Sequence, residues 1–288
     1  MQVETTDIDG HRIRFALLST TPPVRPLILF NGIGASLELM APLARAMEEE
    51  GISTITFDVP GVGGSATPLL PYRLGRLAAL AERLLRQLDI EGPVDALGVS
   101  WGGALAQQFA HQYPERCRRL VLAATTAGAL MVPGRLSALV KMVNPRRYTD
   151  RNFMQKIAGD LYGGRLRHDG ALLREYSRHI APPSGRGYLW QILALAGWTS
   201  ALWLRRLKQP TLILMGRDDP IVPLINGQIL AALIPNSRLL SIDDGHLFLL
   251  SRMTEIVPII RDFLVRDAGE GAEPAADRTL NAHSPNPG

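Results

Sequence analysis

Short apolar runs that alternate with helical patterns constrain the fold of this 288-residue chain more than any other feature. The runs end at turn signals and lie at residues 26–30, 52–57, 94–99, 120–124 and 211–215, and a further strand is predicted at 238–242. Helical patterns lie between or after them, at residues 74–88, 104–113, 225–233 and 254–265. Because unbroken apolar runs of this length are typical of strands buried on both faces, the alternation predicts an α/β fold with a mostly parallel central sheet flanked by helices.

The alternation stops after Thr125 and resumes at Pro210, and the segment between differs in composition. Residues 131–208 hold 14 Lys and Arg against four Asp and Glu, whereas the rest of the chain holds 17 against 23. The same segment carries eight of the 17 aromatic residues. We therefore predict an α/β core from residues 1–127 and 209–266, interrupted by a basic, mainly helical cap at residues 128–208. Residues 267–288 are rich in Gly, Ala, Pro, Asn and Ser, which predicts a disordered tail.

Three features bear on the compartment. Cys117 is the sole cysteine, so no internal disulfide can form and nothing indicates an oxidising environment. Residues 1–10 contain three acidic residues and no apolar core, unlike a secretory signal. Residues 187–204 carry no charge, but polar residues and Gly197 interrupt them, so we expect no transmembrane segment. These observations predict a cytoplasmic protein.

The sequence around Ser100, Gly98-Val99-Ser100-Trp101-Gly102, carries the clearest chemical signal. A predicted strand precedes it and a helical pattern follows. A serine hydroxyl is a weak nucleophile that needs an exposed position and an adjacent base. The strand-turn-helix context supplies the exposure, and the glycines let neighbouring backbones approach the strained turn. The pattern predicts that Ser100 is a nucleophile; the alternative is a tight turn with an inert serine.

A histidine base is expected on a loop after a later strand, because parallel strands bring their carboxyl ends to one edge of the sheet. His246 alone meets this condition, since residues 243–245 connect it to the strand at 238–242. We interpret the others as surface or capping residues: His11, His111, His168, His179 and His283.

The carboxylate that orients the imidazole is expected after the strand at 211–215, where Asp218 and Asp219 are both candidates. We favour Asp219, because the apolar run and proline that follow place it at the apex of the turn. We expect Asp218 to be solvated. The order Ser100, Asp219, His246 is the order of an α/β-hydrolase triad.

Two backbone N–H groups are needed to bind the negative charge that develops on the attacked carbonyl oxygen. Trp101, directly after the nucleophile, is expected to supply one. The glycine-rich loop at residues 31–34 is expected to supply the other, with Ile33 as the donor. A further glycine-rich turn, at residues 58–65, lacks the Lys-Ser/Thr ending of a phosphate-binding loop, so we interpret it as structural.

The chain resembles an α/β-hydrolase with a cap, and specifically the intracellular medium-chain-length poly(3-hydroxyalkanoate) depolymerases. The resemblance spans about residues 4–266 and rests on FNGIGA at 30–35, FDVPGVGGS at 57–65, GVSWGGALAQQFAH at 98–111 and DDGHLFL at 243–249, with the cap stretches 188–191 and 197–200. It implies Ser100 as nucleophile, Asp219 as orienting acid and His246 as base. It also implies attachment to storage granules and release of 3-hydroxyalkanoic acids or oligomers.

We therefore expect a serine hydrolase that cleaves the storage polyester through an acyl-enzyme. Its partners would be the polymer and the granule surface, with no nucleic acid, metal or other cofactor. The aromatic cap predicts an apolar substrate pocket, with Trp190, Trp198 and Tyr188 as candidate contacts, although an ordinary cap core would use the same residues. Two other functions stay open: another hydrolase of this fold, such as a carboxylesterase, carbon-carbon bond hydrolase or cofactor-free haloperoxidase, and a non-catalytic granule-surface or receptor protein.

Overall fold

In the computed structural model, one sheet organises the described residues, which are 2–20, 25–144, 146–178 and 184–266. Its strands are β1 (Val3–Ile8), β2 (His11–Leu18), β3 (Leu27–Phe30), β4 (Thr54–Phe57), β5 (Val94–Val99), β6 (Cys117–Ala123), β7 (Thr211–Gly216) and β8 (Ser237–Ile242). They pair in the order β1-β2-β4-β3-β5-β6-β7-β8. β2 pairs antiparallel with β1 and β4, and the other neighbours are parallel. The predicted mostly parallel α/β sheet is confirmed.

Helices cover both faces of this sheet. Those of the core are α1 (Leu37–Glu49), α2 (Leu74–Gln87), α3 (Trp101–Gln112), α9 (Leu224–Leu233), α10 (Phe248–Ser251) and α11 (Met253–Val265). Side chains alternate along β3, so Leu27 and Leu29 join the apolar cluster under α1 and α11, whereas Ile28 and Phe30 join the cluster under α2 and α3. Burial on both faces explains why this strand is an unbroken apolar run.

A group of helices lies between β6 and β7, in the segment that we call the cap, residues 128–208. They are α4 (Leu136–Val143), α5 (Arg146–Thr149), α6 (Arg151–Tyr162), α7 (Gly170–Arg178) and α8 (Gly185–Leu195), with short 3₁₀ segments at Gly164–Arg167 and Leu204–Arg206. Within the described cap residues, an isolated bridge between Gly128 and Thr199 is the sole β-pairing.

The uncharged stretch at residues 187–204 does not form one continuous helix. α8 ends at Leu195, and Gly197 adopts a φ of 71°, a left-handed conformation that turns the chain. Among the residues that the structure describes, no helix has the length and apolar character needed to span a membrane.

The structure extends two predicted elements. α3 begins at Trp101 rather than at residue 104, because the helix follows the turn at Ser100 directly. β6 begins at Cys117 rather than at residue 120. Arg118 and Arg119 interrupt the apolar pattern there, yet both are accommodated: Arg118 Nε donates to Asp95 at 2.9 Å, and Arg119 donates to a carbonyl of α11. The predicted tail at 267–288, with His283, and also His179, lie outside the described residues.

Candidate active site

Ser100 occupies a sharp turn between β5 and α3. Its φ of 54° and ψ of −119° lie in a strained region for a residue with a side chain. The Ser100 N–H donates to the carbonyl of Ala123 at 2.8 Å, and its own carbonyl accepts from the Thr125 hydroxyl at 2.7 Å. These bonds hold the turn at the carboxyl end of β5, as expected of a nucleophile elbow.

Glycines are required on both sides of this turn. A Cβ on Gly102 would overlap the carbonyl oxygens of Phe30 and Asn31, and a Cβ on Gly98 would overlap the carbonyl of Gly102. The backbone after β3 therefore passes directly beside the first turn of α3. This close approach brings the loop at residues 31–34 next to Ser100.

Asp219 and His246 form a buried pair. His246 Nδ1 lies 2.6 Å from Asp219 Oδ2, and the Asp219 side chain has no exposed surface. The other carboxylate oxygen accepts from the N–H groups of Ile221 and Val222, at 2.8 and 2.9 Å. Three bonds thus fix the carboxylate in an orientation that can hold the imidazole and stabilise its charged form.

The neighbouring Asp218 has a different environment. Its side chain is 42% exposed, but Arg167 donates to both carboxylate oxygens, at 3.0 and 3.1 Å. The Gly164 N–H donates to it at 2.9 Å. The Arg167 hydrogen bond holds the pKa of the Asp218 carboxyl below its ordinary value. Asp218 therefore binds the cap rather than standing free in solvent as expected, because the cap folds back over this loop.

The predicted oxyanion donors lie in two segments next to Ser100. Trp101 is the first residue of α3, so its N–H has no acceptor inside the helix and lies at the positive end of the helix dipole. Ile33 lines the same cavity as Ser100 and His246. The adjacent Gly34 N–H donates to Gln191 Oε1 at 2.8 Å, so Gly34 is engaged by the cap. Ile33 and Trp101 stay the predicted pair of donors.

The cavity beside Ser100 and His246 has mostly apolar walls. These walls include Ile33, Leu39, Met40, Met142, Ile221 and Leu247. On the cap side, Arg147 and Tyr162 add polar groups. Apolar walls with a few polar groups are typical of small-molecule sites, and here they surround the candidate nucleophile and base.

Comparison with known proteins places this geometry in a family. Residues 25–252 match the family described as alpha/beta hydrolase fold. The chain belongs to this α/β-hydrolase family. A poly(3-hydroxyalkanoate) depolymerase from Ectopseudomonas oleovorans is 51% identical over 263 residues, which cover 91% of this chain and 92% of that protein. The resemblance identified from the sequence is confirmed.

More distant relatives share the fold with other named activities. The 3-oxoadipate enol-lactonase 2 of Acinetobacter baylyi is 28% identical, covering 77% of this chain and 82% of its own. Among solved structures, the enol-lactonase from Burkholderia xenovorans LB400 has a TM-score of 0.79 at 20% identity, covering 91% of this chain and all of the other. At that identity the likeness shows the α/β-hydrolase fold alone.

In this α/β-hydrolase the glycine-rich turn at residues 58–65 is organised around a buried carboxylate. Asp58 is fully buried and accepts from the N–H groups of Leu37 at 2.7 Å and Gly64 at 3.0 Å. Burial raises the pKa of Asp58, and those two bonds oppose the rise. The carboxylate joins the turn to the start of α1, which follows the loop at residues 31–34. We call that segment the oxyanion loop after its predicted role. The bonds of Asp58 support the structural interpretation of the turn.

The three predicted aromatic contacts have partners within the protein. Trp190 donates to the carbonyl of Pro68 at 3.1 Å, Trp198 donates to Gln108 at 2.9 Å, and the Tyr188 hydroxyl donates to the carbonyl of Met142 at 3.0 Å. None of the three is among the described residues that line the cavity. Their role in substrate binding stays a prediction.

Other site features could not be read from the sequence. The backbone N–H of His246 donates to the backbone carbonyl of Tyr162 at 2.7 Å, and the Gln191 side chain accepts from the oxyanion loop. Tyr162 and Gln191 lie in the cap, far in sequence from Ser100 and His246. Gln191 ends the stretch 188–191 that contributes to the family resemblance, but nothing in that stretch indicates a contact with residues 31–34. In the described residues, no group of three or more His, Cys, Asp and Glu side chains is arranged to hold a metal ion.

Proposed function

We propose that this chain is a serine hydrolase that cleaves the ester bonds of medium-chain-length poly(3-hydroxyalkanoate) through an acyl-enzyme. The observation that carries the proposal is the buried Asp219–His246 pair, of which His246 lines the same apolar cavity as the strained Ser100. The 51% identity to a poly(3-hydroxyalkanoate) depolymerase supports the choice of substrate.

Ser100 and His246 perform two acyl transfers in this mechanism. His246 takes the hydroxyl proton of Ser100 as its Oγ attacks the ester carbonyl, and the N–H groups of Ile33 and Trp101 bind the oxyanion. The C–O bond to the next unit then breaks, and His246 gives its proton to the departing hydroxyl oxygen. Water, deprotonated by His246, then attacks the acyl carbon. The bond from that carbon to Ser100 Oγ breaks, His246 returns the proton to Oγ, and the hydroxy acid leaves. Asp219 stabilises the imidazolium that forms in each step.

The cavity supports a substrate with an alkyl side chain. Apolar residues form most of its walls, and two of them, Leu39 and Met40, come from α1 of the core. An alkyl chain of several carbons gains about 0.8 kcal/mol for each CH₂ group buried against such walls. A methyl side chain, as in a short-chain polyester, gains little.

Substrate preference tests the proposal. Purified protein is given amorphous particles of a medium-chain polyester, particles of a short-chain polyester, and p-nitrophenyl esters of matched chain length. We expect release of hydroxy acids from the medium-chain polymer at a rate at least tenfold above the short-chain polymer, because each buried CH₂ group favours the longer side chain. Activity on p-nitrophenyl esters alone would contradict the polymer assignment and favour a carboxylesterase.

We also propose that the cap attaches the enzyme to storage granules in the cytoplasm. Residues 131–208 have 14 Lys and Arg against four Asp and Glu. The cap surface also exposes large apolar side chains, including Leu136, Leu189 and Leu202. Basic and apolar groups on one segment suit an apolar polymer with an anionic coat.

Granule binding should depend on salt. Between about 0.1 and 1 M salt the screening length falls from about 10 to 3 Å, so sedimentation with isolated granules should decrease severalfold. The double substitution Arg186→Glu and Arg205→Glu in the cap should weaken binding more than Arg45→Glu and Arg76→Glu in the core, which change the net charge equally. All four side chains are exposed. Equal effects of the two pairs would contradict attachment through the cap.

A further inference from the structure

Gln191 of the cap contacts both segments that carry the predicted oxyanion donors. Its side-chain Oε1 accepts from the N–H of Gly34, next to Ile33, at 2.8 Å. Its backbone carbonyl accepts from the indole N–H of Trp101 at 2.9 Å. The residue is 1% exposed. One cap residue therefore joins the loop after β3 to the first residue of α3.

The sequence of the oxyanion loop does little by itself to restrict its backbone. Ile33 lies between Gly32 and Gly34, and Gly34 has a φ of 70°. Glycine loses more backbone freedom on ordering than any other residue, so a loop with two of them has many accessible conformations. A hydrogen bond to the Gly34 N–H fixes the peptide plane that directly follows Ile33, and so restricts the direction of the neighbouring Ile33 N–H.

α8 is itself held against the core along its whole length. At its start, the Ser184 hydroxyl donates to the carbonyl of Gly61 at 3.0 Å. In its middle, Trp190 donates to the carbonyl of Pro68 at 3.1 Å. At its end, Arg73 donates to the carbonyls of Leu193 and Ala196, both at 3.1 Å. Gln191 is therefore fixed relative to the core and can act as a rigid support for the loop.

We propose that Gln191 is a positioning residue that sets the geometry of the oxyanion hole, so that the cap contributes to catalysis as well as to substrate binding. The inference rests on the proposed acyl-enzyme mechanism. Preorganised donors act on the charge that develops in the transition state and little on the ground state. Loss of the Gln191 bond should therefore lower kcat and leave KM nearly unchanged.

The test is Gln191→Met, which keeps the length of the side chain and removes the acceptor. The matched control is Gln209→Met, because Gln209 is also buried but donates to the carbonyls of Ala110 and Pro114, away from the oxyanion loop. On a soluble p-nitrophenyl ester we expect kcat to fall about tenfold to hundredfold for Gln191→Met with KM changed by less than about threefold, since direct removal of one donor lowers kcat by about 10²- to 10³-fold. Gln209→Met should keep the kcat of the parent protein.

Inhibitor binding provides the second readout. A trifluoromethyl ketone, which forms a tetrahedral oxyanion adduct with the serine, should bind Gln191→Met more weakly by the same factor as the fall in kcat/KM. Inhibition by the product 3-hydroxy acid should not change. Trp101→Phe removes the other bond to Gln191 and should give the same pattern, so it replaces Gln191→Met if that variant does not fold. When the two substitutions are combined, their effects on kcat should be less than multiplicative.

Three outcomes would overturn the proposal. They are an unchanged kcat in Gln191→Met and Trp101→Phe, a fall in kcat for Gln209→Met equal to that for Gln191→Met, and an unchanged affinity of Gln191→Met for the trifluoromethyl ketone. Failure of the underlying mechanism is distinguishable from these. In that case Ser100→Ala would retain ester hydrolysis, whereas a failure confined to Gln191 leaves the dependence on Ser100 intact.

Discussion

Ser100→Ala should reduce turnover of polymer and of p-nitrophenyl esters by about 10⁵- to 10⁶-fold, to the residual rate that substrate binding and the oxyanion hole support alone. The replacement removes the only atom that becomes bonded to substrate in the proposed mechanism. The backbone bonds to Ala123 and Thr125 do not involve the hydroxyl of Ser100, so the elbow should persist. The circular dichroism spectrum should match that of the parent protein.

A fluorophosphonate probe gives the same test at the level of the nucleophile. The parent protein should be labelled stoichiometrically and Ser100→Ala not at all. Ser241→Ala is the control, because Ser241 is a buried serine on β8 that accepts from Arg217; it should be labelled and active. Near-normal hydrolysis by Ser100→Ala would exclude the serine mechanism, and an unlabelled parent protein would favour the non-catalytic granule or receptor function.

The parts of the fold that were predictable from sequence are those whose signal is local. β5 is buried over most of its length and ends at a glycine turn, so its predicted limits of 94–99 agree with the structure. The elbow could be located because the strand, the turn and the helix are adjacent in sequence. β6 was predicted too short because Arg118 and Arg119 resemble surface charges, although distant partners in Asp95 and α11 accommodate them.

The parts that were not predictable depend on contacts between distant segments. α1 was not predicted, although six of its residues pack into the core. Asp218 was expected to be solvated, and its partner Arg167 lies 51 residues earlier in the chain, in the cap. In the sequence, Gln191 is a polar interruption of an apolar stretch. In the structure its side chain accepts from the N–H of Gly34, 157 residues away. No sequence period or motif encodes such pairs, because packing of the cap on the core brings them together.

These long-range bonds hold the cap against two sides of the candidate active site. Gln191 bonds the oxyanion loop on one side of Ser100. On the other side, the backbone carbonyl of Tyr162 accepts from the backbone N–H of His246. The backbone N–H of Arg165 donates to the Asp244 carboxylate at 2.8 Å. The cap therefore contacts the loops of both the predicted base and the predicted oxyanion donors. Under the proposed mechanism we expect cap substitutions at such contacts to change kcat, and substitutions of exposed cap arginines to change granule binding instead.

The adjacent aspartates give a matched test of the orienting acid. Asp219→Asn should lower kcat by about 10³- to 10⁴-fold, as expected when an imidazole is held in the wrong tautomer. Asp219 Oδ1 accepts from the N–H groups of Ile221 and Val222, so the amide oxygen of the replacement should keep that position. The amide NH₂ then faces His246 Nδ1 and donates to it, which places the imidazole proton on the nitrogen that must accept from Ser100.

Asp218→Asn makes the same chemical change one residue earlier and should keep most of the activity. It weakens the ion pair with Arg167, which is partly exposed, so we expect a loss of free energy of unfolding of no more than about 1 kcal/mol. Urea unfolding followed by fluorescence measures that loss, and steady-state kinetics on a soluble ester measures kcat. The prediction fails if Asp219→Asn keeps more than a tenth of the parent activity, or if both substitutions lower kcat equally. Of the two aspartates, Asp218 bonds Arg167 of the cap and Asp219 bonds the imidazole. An equal fall in kcat would therefore mean that attachment of the cap to this turn, rather than the carboxylate bonded to His246, determines the rate.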